Sequence, residues 1–200
     1  MDARPTLFTL ARILDEQGLE AIMIANAAAA LHGAPVTTLD FDFLFRKTPG
    51  NLRKLKAVGQ EPGCHPFEAL LSVSDLFRIE RDEDSLHVDF MSRIDGVRSL
   101  AALRSRASRI DFGGHVLVVA DLADIIKSKR AAGRPRDRAV LEILEKALDE
   151  KRKARMTKRE ALRRESDRVL RDRIRRLLEK PPEERTHFLR KRIGFSASCL

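Results

Sequence analysis

The stretch Thr37-Thr38-Leu39-Asp40-Phe41-Asp42-Phe43-Leu44-Phe45 decides how this chain is read. It alternates with the period of a strand, so Leu39, Phe41, Phe43 and Phe45 fall on one face and Asp40 and Asp42 on the other. Two carboxylates two residues apart on one strand face repel each other, and aspartate is a poor strand residue. A divalent cation between them makes the pair favourable. Mg2+ or Mn2+ prefers oxygen ligands, and Mg2+ is usually held by one or two carboxylates together with substrate phosphates. The spacing points to metal-assisted phosphoryl chemistry.

A second segment, Ser85-Leu86-His87-Val88-Asp89-Phe90-Met91, also alternates, with Val88 and Phe90 opposite Asp89. If it pairs beside the first strand, Asp89 joins Asp40 and Asp42 in one cluster. Three carboxylates on a sheet surface would hold two metals, one for the attacking oxygen and one for the nucleotide phosphates. The competing reading is a set of solvated aspartates on a half-exposed sheet. The combination of Asp-x-Asp among large apolar residues with a third aspartate in another apolar strand favours the metal site.

The chain has 200 residues, enough for one domain and an appendage. Trp and Tyr are absent, so ten Phe and the aliphatic residues must fill the core. The formal net charge of +9 is unevenly placed. Residues 1–150 hold 21 Lys and Arg against 23 Asp and Glu, whereas residues 151–200 hold 18 against 7. The basic excess thus lies in the last quarter, which predicts contact with a polyanion, RNA or other nucleic acid, over residues 151–193. A solvated helix with internally paired charges is the alternative, but the excess is too large for complete pairing.

Several classes are set aside. Cys64 and Cys199 form no disulfide framework or ligand cluster, which fits a reduced, cytoplasmic setting. The longest apolar stretch, Ala21 to Leu31, is broken by Asn26 and too short to cross a bilayer, so a soluble protein without membrane contact is expected. Cys64 and His65 adjoin without further ligands, which argues against zinc. No Gly-x-x-x-x-Gly-Lys-Ser/Thr loop occurs.

Along the chain, the spacing predicts a helix over 7–17, a strand over 21–24, and an Ala-rich helix capped by Asn26 and closed by Gly33. After the Asp40/Asp42 strand come a basic helix near 52–58, a loop over 60–66, strands near 76–79 and 86–91, and a short helix near 97–103. A hairpin is expected over 109–120. Asp121 caps a helix to Arg130, Gly133-Arg134-Pro135 breaks it, and residues 136–148 are amphipathic. Beyond lies mostly charge with a thin apolar stripe, stopped by Pro181-Pro182, and a last basic turn over 186–193. An α+β domain over residues 1–148 and a basic, mostly helical extension over 149–200 are expected. Arg134 and Asp137 read as a structural ion pair, and His32 as a backbone-bonding residue at a helix end.

The order of strand, small-residue turn, Leu31-His32-Gly33, Thr-x-x-Asp-x-Asp and Val-Asp-Phe resembles the polymerase-beta-like nucleotidyltransferase superfamily. It looks closest to small bacterial members, including the AbiEii-type toxins of toxin–antitoxin systems. The run from Asp121-Leu122 through Lys127 to Gly133-Arg134-Pro135-Arg136-Asp137 is similar to their Asp-Leu-Ile-x-x-Lys … Gly-Arg-Pro-x-Asp signature. The resemblance covers about residues 18–148. It implies a mixed, curved sheet backed by helices, with the nucleotide cleft on the exposed sheet face. Asp40 and Asp42 match the metal-binding pair, and Asp89 the third carboxylate, which activates an acceptor hydroxyl. Lys127, Lys129 and Arg130 are expected to reach a triphosphate from the cleft rim, with a solvated helix end as the alternative, and the resemblance favours Lys127.

The resemblance further implies a Mg2+-dependent enzyme moving a nucleotide from an NTP to a hydroxyl of RNA, such as tRNA, or of protein, acting as a toxin with a cognate antitoxin partner. The chain departs from the family at one turn. Ala25-Asn26 stands where the relatives have Gly-Gly or Gly-Ser, and alanine brings a Cβ where the backbone approaches phosphate or takes a positive φ. The alternative is therefore a nucleotidyltransferase-fold module with weak or no catalysis that binds nucleic acid or a partner through its basic tail.

Overall fold

The computed structural model describes residues 4–38, 40–60, 64–67, 76–81, 86–182, 184 and 185. The side chains of Arg4, of residues 64–67, and of Arg81 and Leu86 lie outside that description, as do Leu39, residues 61–63 of the loop expected over 60–66, and the basic turn expected over 186–193. By contacts the chain divides into two compact units, Met1–Asp149 and Glu150–Leu200.

The first unit is built on a seven-stranded mixed sheet in the order β3-β4-β5-β2-β1-β7-β6. Its strands are β1 (Ala21–Ile24), β2 (Asp40–Phe45), β3 (Cys64–Phe67), β4 (Leu76–Arg81), β5 (Leu86–Met91), β6 (Ser108–Phe112) and β7 (His115–Val119). Its helices are α1 (Arg4–Glu16), α2 (Ala25–Leu31), α3 (Pro49–Val58), α4 (Leu100–Arg104) and α5 (Leu122–Ala132), and α6 begins at Pro135. The fold is the α+β class read from the sequence, with the mixed sheet and helices expected of it.

The central strand β2 lies antiparallel to β1 and parallel to β5. Its apolar face carries Phe41, Phe43 and Phe45, all buried, beside Val88 and Phe90 of β5. Phe43 and Phe90 stack with ring centroids 5.2 Å apart, and Phe45 meets Phe77 edge-on at 5.6 Å. Such aromatic pairs add about 0.5–1.5 kcal/mol beyond their buried area. Phenylalanine thus fills the core that Trp and Tyr do not.

Local chemistry sets the ends of the elements. Pro49 sits in the first turn of α3, and Thr48 caps it by accepting from the Asn51 N–H at 3.2 Å. Buried Asn51 ties the start of β1 to the end of β2: its Nδ2 donates to the carbonyls of Glu20 at 3.3 Å and Arg46 at 2.9 Å, and its Oδ1 accepts from the Glu20 N–H at 3.3 Å. Asp121 caps α5 by accepting from the Ala123 N–H at 2.9 Å, and Gly133 closes it with φ 62°.

Some boundaries differ from the sequence reading. The helix expected from Leu52 starts at Pro49, the short helix near 97–103 is Leu100–Arg104, and residues 64–66 of the expected loop belong to β3. Pro66 hid that strand. Because β3 is the sheet edge, a residue lacking an N–H is tolerated there.

α6 spans Pro135–Leu178. In the second unit its side chains are exposed almost throughout, including Met156, Leu162, Val169, Leu170, Ile174 and Leu178. At its end the Arg185 side chain donates to the carbonyls of Leu178 and Lys180. Among the described residues no helix is long and apolar enough to cross a membrane.

Candidate functional site

A cleft of about 900 Å3 opens on the polar face of β2, β4 and β5. Register brings its charged residues into a row. Arg78 of β4 stands opposite Asp89 of β5, and Asp89 stands opposite Asp42 of β2. Neighbouring strands run about 4.8 Å apart, so these three side chains share one patch of sheet surface. A second row holds Glu80, His87 and Asp40. There His87 Nδ1 and Glu80 Oε1 are 3.3 Å apart, and His87 does not line the cleft.

The two members of Asp-x-Asp line the cleft, and their carboxylates make no hydrogen bond or ion pair with other described residues. Burial, then the charges of Asp89 and Asp40, push the Asp42 carboxyl up to about 6, while Lys129 and Arg136 pull against them. Asp89 is different. Arg78 Nε donates to its Oδ1 and Nη2 to its Oδ2, both at 2.7 Å, a bidentate pair. Hydrogen bonding to Asp89 is the main reason the Arg78 guanidinium is pushed above its ordinary range.

This arrangement tests the fit of a divalent ion. Asp40 and Asp42 fit it: two hard oxygen donors, mutually repelling, without partners among the described residues, beside open cleft. Asp40, Asp42 and Asp89 all line the cleft, but among the described residues no three His, Cys, Asp or Glu side chains are grouped to hold a metal. Both Asp89 oxygens accept from Arg78.

Ala25 and Asn26 also line the cleft, at the turn from β1 into α2. Ala25 has φ 56° and is the only described non-glycine residue with positive φ. This left-handed conformation costs an L-residue about 1–2 kcal/mol. The helix begins at Ala25 with Ile24 in the cap position and no side-chain cap, so Asn26 is not the N-cap. It lies inside the first turn, and its Oδ1 is buried without a hydrogen-bond partner among the described residues.

Lys129 lines the cleft, but its Nζ is bound to Asp137 Oδ1 at 2.9 Å, with both side chains nearly buried. Asp137 therefore pairs across α5 and α6 with Lys129 and not with Arg134, as the sequence suggested. Lys127 is exposed and does not line the cleft. Arg134 and Arg136 do line it, with no carboxylate of the described residues bound to either. His32 Nε2 donates to the Ala120 carbonyl at 2.8 Å. Buried Asp124 accepts from Arg106 at 2.8 Å through both oxygens, fixing α5 against the turn before β6.

Arg78 and Arg136 escaped the sequence reading. A signal for Arg78 was present: Phe77 and Ile79 alternate with Arg78 and Glu80, and an antiparallel partner Leu86–Met91 sets Arg78 against Asp89 and Glu80 against His87. Arg136 carried only its place in the Gly-Arg-Pro-Arg-Asp run.

No model of a known protein family matches this chain, and no curated protein matches it. Solved structures do. The antibiotic-resistance factor ANT(2'')-Ia in solution aligns with TM-score 0.51 and 14% identity, over 84% of this chain and 100% of that one. ANT(2'')-Ia in complex with adenylyl-2''-tobramycin gives 0.49 and 18% over 72% and 90%. An antigenic nucleotidyltransferase-like protein from Paracoccidioides brasiliensis gives 0.48 and 12% over 73% and 75%. With its mixed sheet, its helices and the first of these alignments, the chain has the fold of the nucleotidyltransferases.

Proposed function

We propose that this chain is a divalent-cation-dependent nucleotidyltransferase that moves a nucleotide from an NTP to an acceptor hydroxyl. One observation carries the reading. A single cleft is lined by carboxylates, Asp40 and Asp42 among them, and by arginines, Arg134 and Arg136 among them, and none of these four makes a hydrogen bond or ion pair with another described residue. Opposite charges kept in one cleft without a direct hydrogen bond or ion pair between them suit a ligand that brings both signs. A metal–triphosphate complex is such a ligand.

Asp40 and Asp42 would hold Mg2+ or Mn2+, which neutralises phosphate charge and orients the triphosphate. Arg134 and Arg136 face the phosphates. Asn26 Oδ1 accepts a hydrogen bond from the nucleotide, and Lys129 and Asp137 hold α5 and α6 in position around it. The acceptor oxygen attacks the α-phosphorus in line, a new O–P bond forms, the α–β bridging P–O bond breaks, and pyrophosphate leaves. Asp89, which keeps a lone pair on each oxygen beside the one Arg78 takes, would receive the hydroxyl proton. Positioning and charge supply most of the acceleration in such transfers.

The basic residues from 151 onward favour RNA, tRNA included, over a protein side chain as acceptor. The AbiEii-type resemblance supplies a role: the toxin of a toxin–antitoxin pair. The test is incubation with each α-labelled NTP, Mg2+ and total RNA or protein, beside the Asp40→Ala/Asp42→Ala double variant. Transfer by the wild type alone supports the reading. Growth arrest on induction, abolished by the same substitutions, supports the toxin role.

A second reading rests on Ala25, whose Cβ sits on a left-handed residue at the nucleotide turn. In it the fold is a catalytically inactive module that binds nucleic acid through the basic extension. Absence of both transfer and Mg2+-dependent NTP binding would favour it.

A further inference from the structure

We propose that Arg78 stands where a second divalent cation would sit, so that this chain works with one metal ion instead of two. The inference rests on the metal-dependent reading above. A second ion held by Asp89 would have to share its oxygens with a guanidinium and sit beside that positive charge. Arg78 occupies both, at 2.7 Å each. The pair is built in by the sheet: Arg78 and Asp89 are directly opposed on β4 and β5, and Asp89 in turn faces Asp42 on β2.

Charge agrees with geometry. Among the sheet residues of the cleft, Asp40, Asp42 and Asp89 carry three negative charges and Arg78 one positive, leaving two for one divalent ion to match, while Arg93, Arg98, Arg134 and Arg136 line the cleft from outside the sheet and are left for the phosphates. Without Arg78 the third carboxylate would call for further positive charge. Guanidinium suits this place because it is always charged and planar, and forks onto a carboxylate. It has five N–H donors, of which Asp89 takes two. Arg78 lines the cleft with its side chain 42% exposed, while Asp89 is 13% exposed, so the guanidinium stands at the cleft surface with donors to spare. Arg78 thus supplies the fixed positive charge beside Asp89 that would otherwise require a bound ion, and it does so before any substrate arrives.

The test counts ions. Full-length protein is dialysed to equilibrium against Mn2+ with inorganic tripolyphosphate as a base-independent triphosphate, and bound Mn2+ is counted by electron paramagnetic resonance. The wild type is expected to bind one Mn2+ per chain and Arg78→Gln two, with the spin–spin coupling of a close pair. Arg78→Lys, which keeps the charge, is expected to bind one. If Arg78→Gln does not fold, Arg78→Met, with an apolar stem of similar reach, replaces it. Two ions in the wild type overturn the inference and leave the metal-dependent reading standing. One ion in both the wild type and the neutral variant also overturns it. No bound Mn2+ in any form overturns both.

Discussion

Arg78 and Asp89 face each other across β4 and β5, and the guanidinium donates to both carboxylate oxygens at 2.7 Å. The carboxylate is well shielded and the guanidinium half-exposed. Charged hydrogen bonds in such a setting contribute about 1–2 kcal/mol. A double-mutant cycle with Arg78→Gln and Asp89→Asn, read by urea unfolding in metal-free buffer, is expected to give a coupling of that size. A coupling near zero would mean that the pair does not hold in solution.

Asp42 predicts a pH dependence. Its folded carboxyl is pushed up to about 6 from an ordinary 3.8. Between those values the folded state binds more protons than the unfolded one, so stability falls as pH rises. The penalty is absent below about 4 and complete above about 6. Asp42→Asn is therefore expected to stabilise the metal-free protein by about 1–3 kcal/mol at pH 7.5 and to make little difference at pH 4. The same substitution is expected to abolish transfer. Melting curves at the two pH values separate this from a merely structural aspartate, whose removal would destabilise at both.

Ala25 gives a prediction of opposite sign to ordinary helix propensity. Ala25→Gly relieves a positive φ and is expected to raise stability by about 1 kcal/mol. Ala30→Gly, at an exposed position later in the same helix, is expected to lower it by about 1 kcal/mol. If Ala25→Gly also strengthens triphosphate binding, the alanine limits phosphate approach as well as straining the turn.

Lys129 and Asp137 form a nearly buried pair. Lys129→Met or Asp137→Asn alone leaves a charge without its partner and is expected to cost about 3–5 kcal/mol. Lys129→Met with Asp137→Leu is expected to cost clearly less than either single change. Should Lys129→Met fold normally yet weaken NTP binding, Lys129 contacts the triphosphate directly.

Arg159, Arg163 and Arg164 are exposed on α6. Replacing all three with glutamate is expected to weaken single-stranded RNA binding at least tenfold. The slope of log K against log salt should shrink by about 2, close to 0.7 for each phosphate no longer neutralised. Fluorescence anisotropy across a salt series measures both, and unchanged binding would place the RNA interface elsewhere.

The alternation of Asp40 to Phe45 and of Leu86 to Met91 was legible because a strand in a half-buried sheet writes its two faces into the residue order. Helix α5 was legible because its cap, Asp121, and its stop, Gly133, are local. Asn26 misled because an N-cap signal depends on the backbone staying in ordinary regions up to the cap, and Ala25 does not. Lys129 rather than Arg134 reaches Asp137 because burial, which no spacing reveals, selects the partner.

By itself the sequence determined the α+β class, the face on which each aspartate lies, and the concentration of positive charge beyond residue 150. These come from periodicity and composition, which are properties of the chain alone. Only the tertiary structure decided which strands became neighbours. That choice set Asp42 beside Asp89, placed Arg78 on the far side of Asp89, and left Asp40 and Asp42 without partners among the described residues. Each depends on register between segments distant in the chain, and register is settled when the whole sheet buries its phenylalanines together.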